Sequence, residues 1–272
     1  MTIDNQTKLC AVIGHSISHS KSPIVHNAAY QAAKQNYVFL AFDFTQVNEA
    51  IKIMKQLDIK EYAVTMPHKI EVMDYLDKID PLAKKIQSVN TVINKDGKLY
   101  GYNTDITGVE RTFIKNRVNL KDKKVVMIGA GGVARTVGVV VKNLGGKLTI
   151  FDRTGSKSFA LAKTLKCDAD TIDNLGKYND YQILINATPA GMHPNTRSMP
   201  VPTNFIKKNR VIFDLIYNPI KTRLLKEGMK KGCKCINGVD MFVGQAARQF
   251  ELLTGKKAPM KVMEKAFVGS IK

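Results

Sequence analysis

Over the first sixty residues the chain alternates short apolar runs with amphipathic stretches. Residues 9–13 and 38–44 read as strands, and residues 23–35 and 47–57 as helices, the first opened by Pro23 behind Ser22 as its cap. A further strand over 62–66 is closed by Pro67 and followed by an amphipathic stretch to Ile79. This alternation predicts a mostly parallel sheet covered by helices. Between Ser88 and Thr104 the pattern changes. Residues 91–94 and 98–102 flank Asp96-Gly97, a strong signal for a two-residue hairpin. A helix over 106–116 leads to Leu120-Lys121-Asp122-Lys123-Lys124, a polar stretch that suits a boundary between two lobes.

The second lobe opens with an apolar strand over 125–128, a glycine-rich loop, a helix to about Leu144, and a strand over 148–151 after Gly145-Gly146. That is a βαβ unit. Further strands are predicted over 182–185, 211–215 and 233–236, each flanked by helical segments. Near the end, Phe242, Ala246, Phe250 and Leu253 fall at helical spacing, and Gly255 stops the helix.

Length and composition narrow the function classes. At 272 residues and 44% hydrophobic, the chain can bury one large core or two modest ones, and two lobes imply a cleft. No apolar run approaches the roughly 20 residues that span a bilayer, and the polar start, Met1 to Lys8, lacks a signal core. The sequence therefore reads as cytoplasmic, with no membrane partner. Cys10, Cys167, Cys233 and Cys235 lack the spacing of a zinc site and read as reduced structural thiols. His15 and His19 lie in a serine-rich loop-like segment, which argues against a metal. The net charge of +19 is spread along the chain without the basic stripe and interleaved aromatics of a nucleic-acid binder. Such charge suits anionic small molecules drawn into a cleft.

The glycine-rich loop carries the first specific chemistry. Gly129-Ala130-Gly131-Gly132-Val133-Ala134 fits the dinucleotide pattern, in which the first glycine makes the turn, the second admits the pyrophosphate and the small third residue lets helix pack on strand. The following helix N-terminus presents N–H donors to the phosphates. Asp152 lies 23 residues after Gly129 at the end of the next strand, where an acid accepts a ribose 2′-hydroxyl and repels a 2′-phosphate, which favours NAD. Arg153, Thr154 and Lys157 follow it, and such cations and hydroxyls hold a 2′-phosphate, which favours NADP.

Ser20-x-Ser22-Pro23-x-x-His26-Asn27, Val64-Thr65-x-Pro67-x-Lys69, Ser88-Val89-Asn90-Thr91 and Asn103-Thr104-Asp105-x-x-Gly108 closely resemble the shikimate dehydrogenase family. The glycine loop through Arg135, Asn186-Ala187-Thr188, Asp214-x-x-Tyr217-x-Pro219 and Gly238-x-Asp240-Met241-x-x-x-Gln245 extend the resemblance over essentially the whole chain. It implies a two-lobe α/β enzyme: an N-terminal α/β substrate and catalytic domain over 1–105, joined by C-terminal helices over 239–272, and a Rossmann-like doubly wound nucleotide-binding domain over 106–238. It also implies reversible NADP-dependent reduction of 3-dehydroshikimate to shikimate in aromatic amino-acid biosynthesis, by a monomer or homodimer. Lys69 and Asp105 would be catalytic, with Ser20, Ser22, Thr65, Asn90, Tyr217 and Gln245 on the substrate. The glycine loop, Asp152, Arg153, Thr154, Lys157, Thr188, Gly238 and Met241 would hold the cofactor.

Each of these residues has a plainer reading. Ser20 and Ser22 suit a loop or helix cap, Lys69 an exposed lysine, Asp105 a cap ahead of Ile106, and Tyr217 core packing. Two departures from the family stand out. Gly14-His15-Ser16 replaces the usual Gly-x-Pro, and Asp152 replaces the asparagine that usually precedes Arg-Thr in NADP-dependent members, keeping an NAD-using quinate/shikimate dehydrogenase open. A methylene-tetrahydrofolate dehydrogenase, against which the two serines argue, and a basic nucleic-acid-binding module are the more distant alternatives.

Overall fold

The structure begins with an apolar strand buried within its sheet, followed by a second apolar strand that forms the sheet's edge and stays largely half-buried or exposed. The computed structural model describes residues 3–271. Strand β1 (Lys8–Gly14) is followed by α1 (Ser22–Ala32), β2 (Tyr37–Asp43), α2 (Val47–Gln56) and β3 (Glu61–Val64). After a 3₁₀ turn over Glu71–Tyr75 come the short strand β4 (Lys78–Ile79), α3 (Pro81–Ile86), β5 (Thr91–Lys95), β6 (Lys98–Tyr102) and α4 (Asp105–Lys115). The amphipathic stretch before Ile79 is thus a 3₁₀ turn and a strand rather than one continuous element. Next come β7 (Lys124–Ile128), α5 (Gly132–Asn143), β8 (Lys147–Asp152), α6 (Gly155–Leu165), β9 (Asp168–Thr171), β10 (Ile183–Asn186), β11 (Val211–Asp214), α7 (Arg223–Lys230) and β12 (Lys234–Ile236). Helices α8 (Val239–Thr254) and α9 (Met260–Gly269) close the chain.

These elements divide into two compact units, one formed by the chain up to Gly108 together with Phe242–Ser270, the other by Val109–Met241. The divisions fall inside α4 and α8. The polar stretch at 120–124 is no boundary: Leu120 is buried, and Lys123 N–H donates to its carbonyl in a turn leading into β7.

In the first unit the sheet order is β2-β1-β3-β5-β6-β4. The sheet is more mixed than the alternation implied. Strands β1 and β2, β1 and β3, and β4 and β6 pair in parallel, whereas β3 with β5 and β5 with β6 are antiparallel. The hairpin β5–β6 turns at Asp96 (φ 53°) and Gly97 (φ 82°), both left-handed as a primed two-residue turn requires. One sheet face packs Ala11, Ile13, Tyr62, Val64 and Val92 against Ile51, Met54 and Val72. Helix α9 packs on α1 within the same unit, and Phe267 stacks on Phe242 at 4.3 Å between ring centroids.

The second unit holds an all-parallel sheet of order β12-β11-β10-β7-β8-β9. This is the doubly wound order, whose direction of winding reverses between β7 and β10. Strand β7 is apolar and buried from Val125 to Ile128, as a central parallel strand must be, each fully buried side chain contributing about 1.5–3 kcal/mol. Edge strand β9 has no apolar run, being Asp168-Ala169-Asp170-Thr171, and for that reason escapes a reading based on hydrophobic pattern. Among the described residues no helix is long and apolar enough to cross a membrane.

Candidate active site

Within the first unit, a turn and a helix start are brought together by the buried tripeptide Ser88-Val89-Asn90. Beyond β3, Thr65 N–H donates to Ile13 O (2.9 Å) and His15 N–H to Met66 O (3.0 Å), which fixes the Thr65–Lys69 turn onto the end of β1. His68 is wholly buried beneath that turn, its Nε2 2.8 Å from Phe44 O. Val89 N–H then donates to Lys69 O at 2.8 Å. On the other side, Asn103 Nδ2 donates to Ser88 O (2.9 Å) and Thr104 N–H to Asn90 Oδ1 (2.7 Å), which sets the start of α4. The result is a direct ion pair: Lys69 Nζ lies 2.6 Å from Asp105 Oδ2, with side-chain exposures of 16% and 8%.

Asn90 is 2% exposed and heavily engaged. Its Oδ1 also accepts Thr91 Oγ1–H at 2.9 Å, and its Nδ2 donates to Thr104 Oγ1 at 3.0 Å, leaving one amide hydrogen for any other partner. Ser20 Oγ accepts Ser22 N–H at 3.3 Å. Ser22 is therefore the first residue of α1 and Lys21 its cap, one position from the sequence reading, and the hydroxyl serving the helix end belongs to Ser20. Ser16 takes φ 58°, a left-handed backbone closed to the proline usual at this position, so the loop differs in course as well as in residue.

Gln245 stands on α8 one turn before Gln249, a residue the motif reading passed over. Gln249 is 1% exposed, donates from Nε2 to Thr91 Oγ1 at 3.0 Å, and has Oε1 3.2 Å from His26 Nε2. It joins α8 to α1 and β5. His26 is stacked on Phe39, and burial pulls its pKa down to about 4, which keeps it neutral. Helical spacing from Gln245 was the available signal for Gln249.

In the second unit, the glycine loop lies where the sheet reverses. Gly129 has φ 114°, and a Cβ there would sit 2.7 Å from Ala187 O and 3.0 Å from Thr188 Cγ2, so only glycine fits between the ends of β7 and β10. A Cβ on Gly131 or Gly132 would meet nothing within 4 Å, and α5 begins at Gly132 without a side-chain cap. Bare backbone beside open space, with first-turn N–H groups unsatisfied within the helix, is a cradle that fits a pyrophosphate. Ala134 is fully buried where the helix packs on the sheet. Val133 lies between them in the first turn.

Asp152 ends β8 with Oδ2 accepting Ala130 N–H (3.0 Å) and Oδ1 accepting Thr154 N–H (2.8 Å). Arg153, Thr154 and Lys157 are exposed in the turn and first helical residues beyond it.

Thr188 belongs to a buried network that the sequence did not disclose. Its Oγ1 donates to Asn186 Oδ1 at 2.6 Å, and Asn186 Nδ2 donates to Asp214 Oδ1 at 3.0 Å. Asp214 also accepts Ile216 N–H (3.2 Å) and Thr222 Oγ1–H (2.6 Å). Burial raises the Asp214 pKa to about 6, against the lowering effect of these donors. Tyr217 follows in the same loop, ahead of Pro219. Gly238 lies so close to Leu215 that a Cβ would be 2.0 Å from the Leu215 carbonyl oxygen. Met241 is the last residue of this unit.

A doubly wound parallel sheet with a glycine cradle at its reversal point, in a chain whose other unit holds a partly buried lysine–carboxylate pair, defines a dinucleotide-binding α/β protein of the dehydrogenase class. Models of the shikimate dehydrogenase substrate binding domain, of shikimate/quinate 5-dehydrogenase and of the shikimate 5′-dehydrogenase C-terminal domain match residues 12–92, 112–223 and 238–266. A shikimate dehydrogenase (NADP+) of Methanococcus maripaludis strain C7 is 43% identical, the alignment covering 99% of each chain. A crystal structure of shikimate dehydrogenase in complex with NADP+ aligns at TM-score 0.94 and 39% identity, covering 100% of this chain and 98% of that one. The Thermus thermophilus enzyme in complex with NADP(H) and shikimate gives a TM-score of 0.91 at 28% identity, over 97% of this chain and 100% of its own. The chain belongs to the shikimate dehydrogenase family.

Proposed function

We propose that this protein catalyses the reversible, NADP-dependent reduction of 3-dehydroshikimate to shikimate, a step of aromatic amino-acid biosynthesis. The observation that carries the reading is the Lys69–Asp105 pair at 2.6 Å in the unit matched by the substrate-binding-domain model. Reduction of a ketone needs a hydride at carbon and a proton at oxygen. The nicotinamide, when bound, is the hydride donor. Lys69 Nζ–H gives its proton to the carbonyl oxygen as that oxygen gains negative charge, and Asp105 holds the ammonium in position and accepts from the same substrate hydroxyl. In the oxidative direction Lys69 takes the hydroxyl proton.

Ser20 and Ser22 would bind the substrate carboxylate, and Thr65, the remaining Asn90 hydrogen, Tyr217 and Gln245 the ring hydroxyls, since neutral donors match such a ligand without an unpaired buried charge. The pyrophosphate would rest on residues 129–134, the adenosine ribose and 2′-phosphate beside residues 152–157, and the nicotinamide half near Thr188, Gly238 and Met241. We place the enzyme in the cytoplasm as a monomer or homodimer, with no nucleic-acid partner.

Initial-rate kinetics with shikimate and quinate, each against NADP and NAD, test the proposal. Shikimate with NADP is expected to give the highest kcat/KM. Absence of shikimate-dependent reduction of both cofactors would sink it, and a higher kcat/KM for quinate would move the assignment to quinate dehydrogenase.

A further inference from the structure

Both oxygens of the carboxylate that ends β8 are engaged by the backbone. Each oxygen of Asp152 already accepts one backbone N–H, from Ala130 at 3.0 Å on one side and from Thr154 at 2.8 Å on the other. Gly129 N–H donates to Phe151 O at 2.7 Å. Two consecutive residues of β8 thus hold two consecutive residues of the glycine loop, one through its carbonyl and one through its carboxylate. Gly131 makes no side-chain cap, and neither Gly131 nor Gly132 has a neighbour within 4 Å of where a Cβ would be.

An acid at this strand end discriminates against a 2′-phosphate when its oxygens are turned to the ribose. Here the charge is directed at two amide dipoles, the arrangement in which a carboxylate makes its stronger, charge-assisted hydrogen bonds. Arg153 and Lys157, by contrast, are exposed, and neither is ion-paired among the described residues.

We infer that Asp152 is a positioning residue, which fixes the glycine loop through Ala130 and the following turn through Thr154, and that it does not decide between NADP and NAD. The inference rests on the dehydrogenase reading above. It gives Asp152→Asn and Asp152→Ala defined consequences. Asparagine keeps one acceptor oxygen but sets an NH₂ group against the second N–H. Alanine removes both acceptors and leaves the bond from Gly129 N–H to Phe151 O in place. Neither change touches a group specific to the 2′-phosphate, so both dinucleotides should suffer alike.

Calorimetric titration of NADP+, NAD+ and shikimate into the full-length wild type and both variants reads this directly. Asp152→Ala is expected to weaken both dinucleotides about tenfold, the scale of one to two lost hydrogen bonds. The ratio of the two Kd values should stay within about threefold of the wild-type ratio, and the Kd for shikimate should not move. Asp152→Asn should fall between wild type and alanine with the same ratio, and it carries the test if the alanine variant does not fold. A ratio moved by more than about threefold in either variant, or wild-type affinities in Asp152→Ala, overturns the inference. Wild-type protein that binds neither dinucleotide overturns the dehydrogenase reading and this one with it, so the two failures have different signatures.

Discussion

Lys69 and Asp105 meet at 2.6 Å because Ser88-Val89-Asn90 holds both of them, Val89 through the carbonyl of Lys69 and Asn90 through the backbone of Thr104. The backbone that carries each member of the pair is therefore anchored to the same tripeptide. With exposures of 16% and 8%, the pair is shielded enough for each member to matter to the other.

Removing the proton donor should cost rate and not affinity for the dinucleotide. Lys69→Ala is expected to lower kcat by about 10²–10⁴, the range for a lost general acid, while the Kd for NADP+ changes little. Asp105→Asn should lower kcat less, because Lys69 stays in place but loses its charged partner. Steady-state rates alongside direct titration of NADP+ separate the two quantities, and a kcat for Lys69→Ala equal to wild type would remove the residue from the chemistry.

Gly129→Ala provides the complementary case. The new methyl would face Ala187 O at 2.7 Å on a backbone of φ 114°, so the loop must move away from β10. NADP+ binding should fall at least tenfold by titration, with a loss of stability of about 1–3 kcal/mol in urea unfolding. Substitution of Gly97, whose Cβ would meet nothing within 4 Å, should leave NADP+ binding unchanged and isolates the backbone effect from the steric one.

How far such features were legible depended on whether they leave a local signature. Asp96-Gly97 specified the β5–β6 hairpin from two residues, because few other turns need two left-handed positions in succession. Gly129 and Ala134 announced the cradle for the same kind of reason. Strand β9 was silent because an edge strand need not be apolar. The contacts of Asp152 with Ala130 and of Gln249 with Thr91 join residues 22 and 158 positions apart, and no local spacing encodes such pairs. Glu61, just ahead of the strand predicted over 62–66, carries no signal of its surroundings: it is fully buried, opposite Cys10 in the β1–β3 register, with neither carboxyl oxygen hydrogen-bonded.

Burial raises the Glu61 pKa to about 8 from an ordinary value of 4.5. The folded chain therefore binds a proton that the unfolded chain has released between those limits. Stability from this group is fully present below pH 4.5 and is lost as pH rises towards and through 8. Urea unfolding of the wild type should show a decline between about pH 5 and 8 amounting to a few kcal/mol. Glu61→Gln, which carries no titrating proton, should flatten that decline. An identical slope in the variant would show that the loss arises elsewhere.

The division of the chain inside α4 and α8 has a consequence for how the molecule is made. Val109–Met241 is contiguous, but the first unit is written in two pieces with the second unit between them. During synthesis the nucleotide-binding unit is complete before Gln249 or α9 exists, although α1 and β5 have long since emerged. His26 and Thr91 must wait for Gln249, and α1 for the helix that covers it. The unit translated second can finish folding first, so the half of the protein that carries Lys69 and Asp105 is sealed last, by its final helices.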